Sequence, residues 1–202
     1  MSGLIGLLFA ICNALLIPVI LVLLSFLGGT VVLFGGFLRE AWARRGARRT
    51  LDRVLADAKR GAASAELWEA LRSARSGVAR AFCAHAVPGT ANAAILAHAV
   101  AELEHGITDA MARLSLLTRV GPMLGLMGTL IPLGPALAGL AAGDMQGMAQ
   151  NLVVAFTTTV IGVLVGALSY AIGLVRRAWY ARDLCDLEFV CQRLAAKATE
   201  PS

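Results

Sequence analysis

Three threonines stand where chemistry is possible: Thr129 in the stretch 120–143, and Thr158 and Thr159 in the stretch 145–175, neither of which contains Lys, Arg, Asp, Glu or His. A threonine hydroxyl both donates and accepts hydrogen bonds, so in apolar surroundings it can hold water or receive a side chain that carries a proton. On a helix the same hydroxyl commonly bonds its own backbone, so its presence alone does not define a proton path. The missing residue type says more. Proton routes through membranes normally use carboxylate or histidine relays, and neither stretch supplies one. Any proton moving here needs a carboxylate from another chain.

These threonines lie on or beside two rows of small residues spaced by three and four, which is one side of a helix at about 100° per residue. Gly121, Gly125, Gly128, Pro132, Pro135 and Gly139 form the first row, with Thr129 at its border. Ala155, Thr159, Gly162, Gly166, Ser169 and Gly173 form the second, with Thr158 on its edge and Thr157 on the opposite face. Small residues let helix backbones approach closely in lipid, so packing is one reading of both rows. Pro132 and Pro135 add another, because each removes a backbone donor and leaves carbonyls near Gly128 and Ile131 without a helical partner. In a membrane such groups are tolerated only where protein or a wet cavity satisfies them.

The elements that carry these rows follow from composition. The 202 residues are 58% hydrophobic and 15% charged, with a mean hydropathy of +0.73 that is hard to keep solvated in water. Met1 to Leu38, Val120 to Gly143 and Met145 to Val175 hold no charged side chain, and each is long enough to cross a hydrocarbon core, which takes about 20 residues. The expected fold class is an all-α integral membrane protein with three transmembrane helices and long cytoplasmic helical extensions. The first block exceeds one span, so the crossing is expected at about Asn13 to Leu38, after an interfacial or tilted lead-in. Gly28-Gly29 and Gly35-Gly36 should weaken its end. Met1-Ser2-Gly3 has no basic side chain and the apolar run is long, so the block reads as an anchor and not a cleaved signal.

Charge placement gives an expected topology. The segment from Arg39 to Arg119 holds 13 of the 18 Lys and Arg, whereas the connection from Ala141 to Asn151 holds only Asp144. By the positive-inside rule the first is cytoplasmic, giving an N-terminus outside and a C-terminus inside, in the cytoplasmic (inner) membrane. Four divisions result: 1–38, lead-in and first span; 39–119, a cytoplasmic helical segment; 120–175, the second and third spans; 176–202, a cytoplasmic helix. The segment 39–119 is rich in helix formers and broken around Gly61 and at Ala86-Val87-Pro88-Gly89, predicting two or three helices, with Thr90 capping one that continues into the second span. Tyr180, Leu184, Leu187, Cys191 and Leu194 form an apolar stripe in need of a partner helix. Trp42, Trp179 and Tyr180 are expected as interfacial anchors.

Other chemistries fit less well. A net charge of +5 and a pI near 9.5 could point to nucleic acid, but the arginines cluster beside apolar blocks and not among stacking aromatics. Cys83-Ala84-His85 with His98 and His105 could imitate a metal site, yet the spacing is irregular, so neither an enzyme nor a metal or cofactor is expected. Cys12, Cys83, Cys185 and Cys191 read as buried small hydrophobes without disulfides. The cluster Arg44 to Arg49 could bind anionic lipid or a partner, although the topology already accounts for it.

From Ala101 to about Arg193 the sequence resembles the MotA/TolQ/ExbB proton channel family. The resemblance is carried by Arg119-Val120-Gly121-Pro122-Met123-Leu124-Gly125-Leu126-Met127-Gly128-Thr129, similar to the family's A-P-x-x-G-L-x-G-T, and by Thr158-Thr159-Val160-Ile161-Gly162, similar to its A-T-A-I-G-L. It implies a homo-oligomeric ring, commonly a pentamer, around a dimeric partner of the ExbD/TolR/MotB kind with one span per chain, whose aspartate carries the proton. Thr129 and Thr159 match the family threonines that face this aspartate, and Thr158 is their neighbour. Val154 stands where ExbB and TolQ have a glutamate, which MotA-like members also lack, and Leu168 where ExbB and TolQ have a proline; Pro132 and Pro135 are additional to the ExbB pattern. The implied function is a pore-forming subunit that uses the proton-motive force for transport or mechanical work. The competing reading is a non-conducting membrane scaffold of the same fold.

Overall fold

The apolar blocks must satisfy every backbone group internally if they meet lipid, and the Ala, Leu, Arg and Glu of segment 39–119 favour helix, so both dictate α-structure. The computed structural model describes residues 2–74, 77–86 and 92–199. These form α1 (Ser2–Arg60), α2 (Ser64–Ser73), α3 (Gly77–His85), α4 (Ala93–Ala141) and α5 (Met145–Thr199). Three of these helices, α1, α4 and α5, are long and apolar enough to cross a membrane. The chain is therefore an all-helical, multi-pass membrane protein.

The helix ends have local causes. Gly61, at φ +84°, ends α1 in a Schellman turn: its N–H donates to Ala58 and that of Ala62 to Asp57. Gly143, at φ +79°, ends α4 the same way, with N–H bonds from Gly143 to Leu140 and from Asp144 to Gly139. Asp144 then caps α5, its Oδ1 accepting from the Gly147 N–H at 2.9 Å. The expected loop from Ala141 to Asn151 is thereby cut to 142–144, because the one charge in it serves as a helix cap. Asn92 caps α4, accepting from the Ala94 N–H at 2.9 Å. The expected cap, Thr90, lies outside the described residues, as do Val87, Pro88 and Gly89 of the expected break. The glycine pairs in α1 do not end it. The helix continues through Pro18, Gly28-Gly29 and Gly35-Gly36, and residues before Asn13 are helix continuous with the span.

Two compact units divide the chain: Met1–Gly35 with Arg113–Gly173, and Gly36–Ala112 with Leu174–Ser202. In the first, α1 buries Val19, Leu23 and Thr30, and the pairing of α4 with α5 is described below. In the second, α2 and α3 close a core with the flanking helices. Trp68 and Leu71 of α2, Phe82 of α3, Leu103 of α4 and Leu187 and Leu194 of α5 are buried together. The rings of Trp68 and Phe82 stack at 6.1 Å. The stripe from Tyr180 to Leu194 finds its partner in this core. Only one of the cysteines behaves as a buried hydrophobe: Cys191 is buried and Cys83 half-buried, but Cys12 and Cys185 are exposed.

The second unit also contains a polar clasp between α1 and α5. Glu40 accepts from Arg176 Nε at 3.0 Å, Tyr180 OH at 2.9 Å and Arg44 Nε at 3.3 Å. Arg44 donates to Asp183 at 2.6 Å, and its guanidinium lies over the rings of Trp179 and Tyr180. Trp179 also stacks on Phe37 at 5.4 Å. Trp179 and Tyr180, expected as interfacial anchors, are thus half-buried and engaged by α1, whereas Trp42 is exposed. Burial, followed by the charge of Glu40, pushes the Tyr180 phenol up, so it remains a neutral donor. Arg44 is absorbed by this clasp, and the side chains of Arg45, Arg48 and Arg49 lie outside the described residues.

Phe82→Ala should destabilise the second unit by about 3–5 kcal/mol, because it removes a ring from a closed core; thermal melting of the detergent-solubilised chain by circular dichroism measures it. Burial, followed by the charge of Glu188, pushes the Cys191 thiol from 9.0 up to about 12. Because the folded value is raised, the stability this thiol contributes is complete below pH 9 and is lost as the pH rises toward 12. At neutral pH a maleimide should therefore modify Cys185 well before Cys191, as peptide mass spectrometry would read, with Cys191 becoming reactive only on unfolding.

Candidate functional site: the seam between α4 and α5

The two rows of small residues face each other across the hairpin. Gly121, Gly125, Gly128 and Pro132 of α4 are buried, as are Ala155, Thr158, Gly162, Gly166 and Ser169 of α5, while Pro135, Gly139 and Gly173 are half-buried. The approach is backbone on backbone. A Cβ on Gly162 would lie 2.7 Å from both Gly121 O and Gly125 Cα, and one on Gly125 would lie 3.1 Å from Gly162 Cα. Gly128 leaves room for Thr158, whose Cβ would be 2.6 Å from any Cβ there. Gly166 leaves room for the Pro122 ring, whose Cγ would be 2.6 Å away. Gly139 meets the cap at Asp144, and Gly173 has only Leu114 near it, at 3.9 Å.

Two participants were not singled out by spacing. Pro122 is a wall of the Gly166 pocket, and fully buried Val165 fills the space over Gly121. The signal for Pro122 was present in its pairing with the glycine row; Val165 looks in sequence like any lipid-facing valine. The helix does not break at its prolines: α4 runs through Pro122, Pro132 and Pro135.

The threonines divide differently from their expected placement. Thr158, expected on the edge, is 5% exposed and sits in the seam, with its hydroxyl donating to Ala155 O at 2.9 Å and Val154 O at 3.0 Å. Thr159, expected within the row, is half-buried at its border, because the helices close around Gly128 and Thr158 one position earlier. Its hydroxyl lies 3.2 Å from Ala155 O on its own helix and 3.4 Å from Gly125 O across the seam. Thr129 is half-buried and donates to Leu126 O at 2.7 Å. Thr157 points away and bonds Val153 O. Each hydroxyl hydrogen is thus committed to a backbone carbonyl, and the oxygen lone pairs of Thr129 and Thr159 remain as acceptors. Such an oxygen can take a hydrogen bond from a protonated carboxyl. Ser169, also in the row, is buried with no hydrogen-bond partner for its hydroxyl among the described residues.

The exposed faces of both helices are apolar, with Met123, Leu126, Leu130, Val153, Phe156 and Val160 uncovered, as suits lipid or further helices. His85 pairs with Glu102 at 3.0 Å, and His98 reaches the same carboxylate at 4.0 Å.

A multi-pass membrane protein with a glycine-closed helix pair bordered by threonines is the class that fold and seam define. The model of the MotA/TolQ/ExbB proton channel family matches residues 72–182, more than half of the chain and inclusive of the whole seam. The chain belongs to the MotA/TolQ/ExbB proton channel family, which is a transport family and not one of enzymes. No curated protein and no solved structure matches it significantly.

Gly162→Leu should separate α4 from α5, because backbone atoms on the facing helix have no rotamer through which to yield, and cost about 3 kcal/mol or more. Gly173→Ala should be tolerated, its only neighbour being at ordinary contact distance. Comparing the detergent melting temperatures of the two variants tests this, and equal loss from both would contradict it.

Proposed function

We propose that this chain is the pore-forming, stator-type subunit of a complex driven by the proton-motive force. It conducts protons together with a single-span partner of the ExbD/TolR/MotB kind whose aspartate enters beside the seam. The observation that carries this reading is the combination at Thr159 and Thr129. Both hydroxyls border a seam with no carboxylate, and both keep acceptor lone pairs after donating to their own backbone. A protonated partner aspartate can donate to these oxygens, and a deprotonated one cannot, so the two protonation states would dock differently. That difference converts proton passage into a shift or rotation of the partner. Thr158, packed against Gly128, holds the helices in register and is not a proton contact.

In this reading several copies form a homo-oligomeric ring, a pentamer being the family's usual number, with the uncovered apolar faces of α4 and α5 between copies or toward lipid. The assembly lies in the inner membrane, with the N-terminus outside and residues 39–119 and 176–202 in the cytoplasm. The divisions 1–38 and 120–175 are the membrane part in this topology. The transported ion is H⁺, and no cofactor takes part.

Thr129→Val with Thr159→Val should lower partner-dependent proton uptake into liposomes by about tenfold or more, corresponding to loss of a stabilised protonated state by about 1.4 kcal/mol. Thr159→Ser should restore part of it, and Thr158→Val should leave uptake near that of the parent chain. Full uptake by the double variant, with the partner still bound, would instead favour a scaffold that passes no protons.

A further inference from the structure

The second unit contains a cavity of about 1120 Å³ that the channel reading does not use. Its chemistry is two-sided. Leu51, Val78, Leu103, Ile107 and Trp179 supply apolar wall, while Arg39 and Arg80, both exposed, are charged members of its lining. Most other charges there are already satisfied: Glu40, Arg44 and Asp183 belong to the clasp, and His85 pairs with Glu102. Arg39 and Arg80 make no hydrogen bond or ion pair among the described residues, and Asp52 is the unpaired lining carboxylate, so the unpaired charge is net positive. The lining also begins where the uncharged blocks end. Gly36 lies within the uncharged block of α1, and Trp179 follows Val175, the last residue of the uncharged block of α5, by a single turn.

We propose that this cavity binds an anionic phospholipid, with the phosphate between Arg39 and Arg80 and the first part of the acyl chains against Trp179, Leu103 and Ile107. A guanidinium matches phosphate oxygens in a charge-assisted, bidentate fashion. The apolar wall and a volume above the usual about 300–1,000 Å³ of small-molecule pockets favour an amphiphile over a soluble phosphate. The clasp forms one side of the site, so an occupied cavity braces α1 against α5.

The test uses the full chain, delipidated in nonionic detergent, with short-chain phosphatidylglycerol as the probe, read by native mass spectrometry. Arg39→Gln with Arg80→Gln should weaken binding by about tenfold, the scale of one lost charge-assisted contact set. Arg72→Gln, an exposed arginine outside the lining, should not. Gly106→Phe should block binding while leaving the melting temperature unchanged, since Gly106 lines the cavity and a Cβ there meets nothing within 4 Å. Lipid bound equally by all variants, or no lipid bound by the parent chain, overturns the proposal. Displacement of the lipid by equimolar inorganic phosphate overturns it as well, assigning the site to soluble phosphates.

Discussion

The backbone-to-backbone contact of α4 and α5 at Gly121, Gly125 and Gly162 is the constraint on which the membrane unit rests. In lipid, apolar side chains gain nothing by leaving the solvent, so helices hold together through close packing and the polar contacts that closeness permits. Glycines create that closeness, and Pro122, Thr158 and Val165 are sized to the spaces left beside them. The reach of the Thr159 hydroxyl to Gly125 O is a consequence: it exists because the helices are near enough for a short side chain to span them.

The same long helices solve a different problem in the other unit. Beyond the uncharged blocks, burial again drives packing, and Trp68, Leu71 and Phe82 close a core of the kind found in water-soluble helical proteins. Where chain charge resumes, the polar groups of the clasp are matched internally. Asp183, 3% exposed, is neutralised by Arg44, and Glu40 receives two guanidiniums and a phenol. Removing one partner from such a set leaves a charge without compensation, so the clasp fixes which face of α1 meets α5.

The threonine hydroxyls of the seam are not spare polarity. Thr158 spends its hydrogen on its own helix and its bulk on Gly128, a structural duty that leaves Thr129 and Thr159 as the bordering oxygens with open lone pairs. A seam of this composition offers hydroxyl oxygens as acceptors and no charged side chain.

Much of this was legible in residue order. Three uncharged blocks determined the membrane class, because charge is excluded from hydrocarbon whatever the fold. Spacing by three and four determined that Gly121 to Gly139 and Ala155 to Gly173 would each share a helix face, and the stripe from Tyr180 to Leu194 foretold a buried face. Tertiary structure alone decided the rest. Thr158 and not Thr159 enters the seam, since a helical period fixes a face only to within one residue and the contact with Gly128 selects the member. Trp179 and Tyr180 are held by Arg44 and Glu40 on a helix some 140 residues earlier in the chain, a pairing no local pattern encodes. Glycine pairs that read as helix breakers in water lie unbroken within α1, because in apolar surroundings an unmade backbone hydrogen bond costs more than glycine's flexibility.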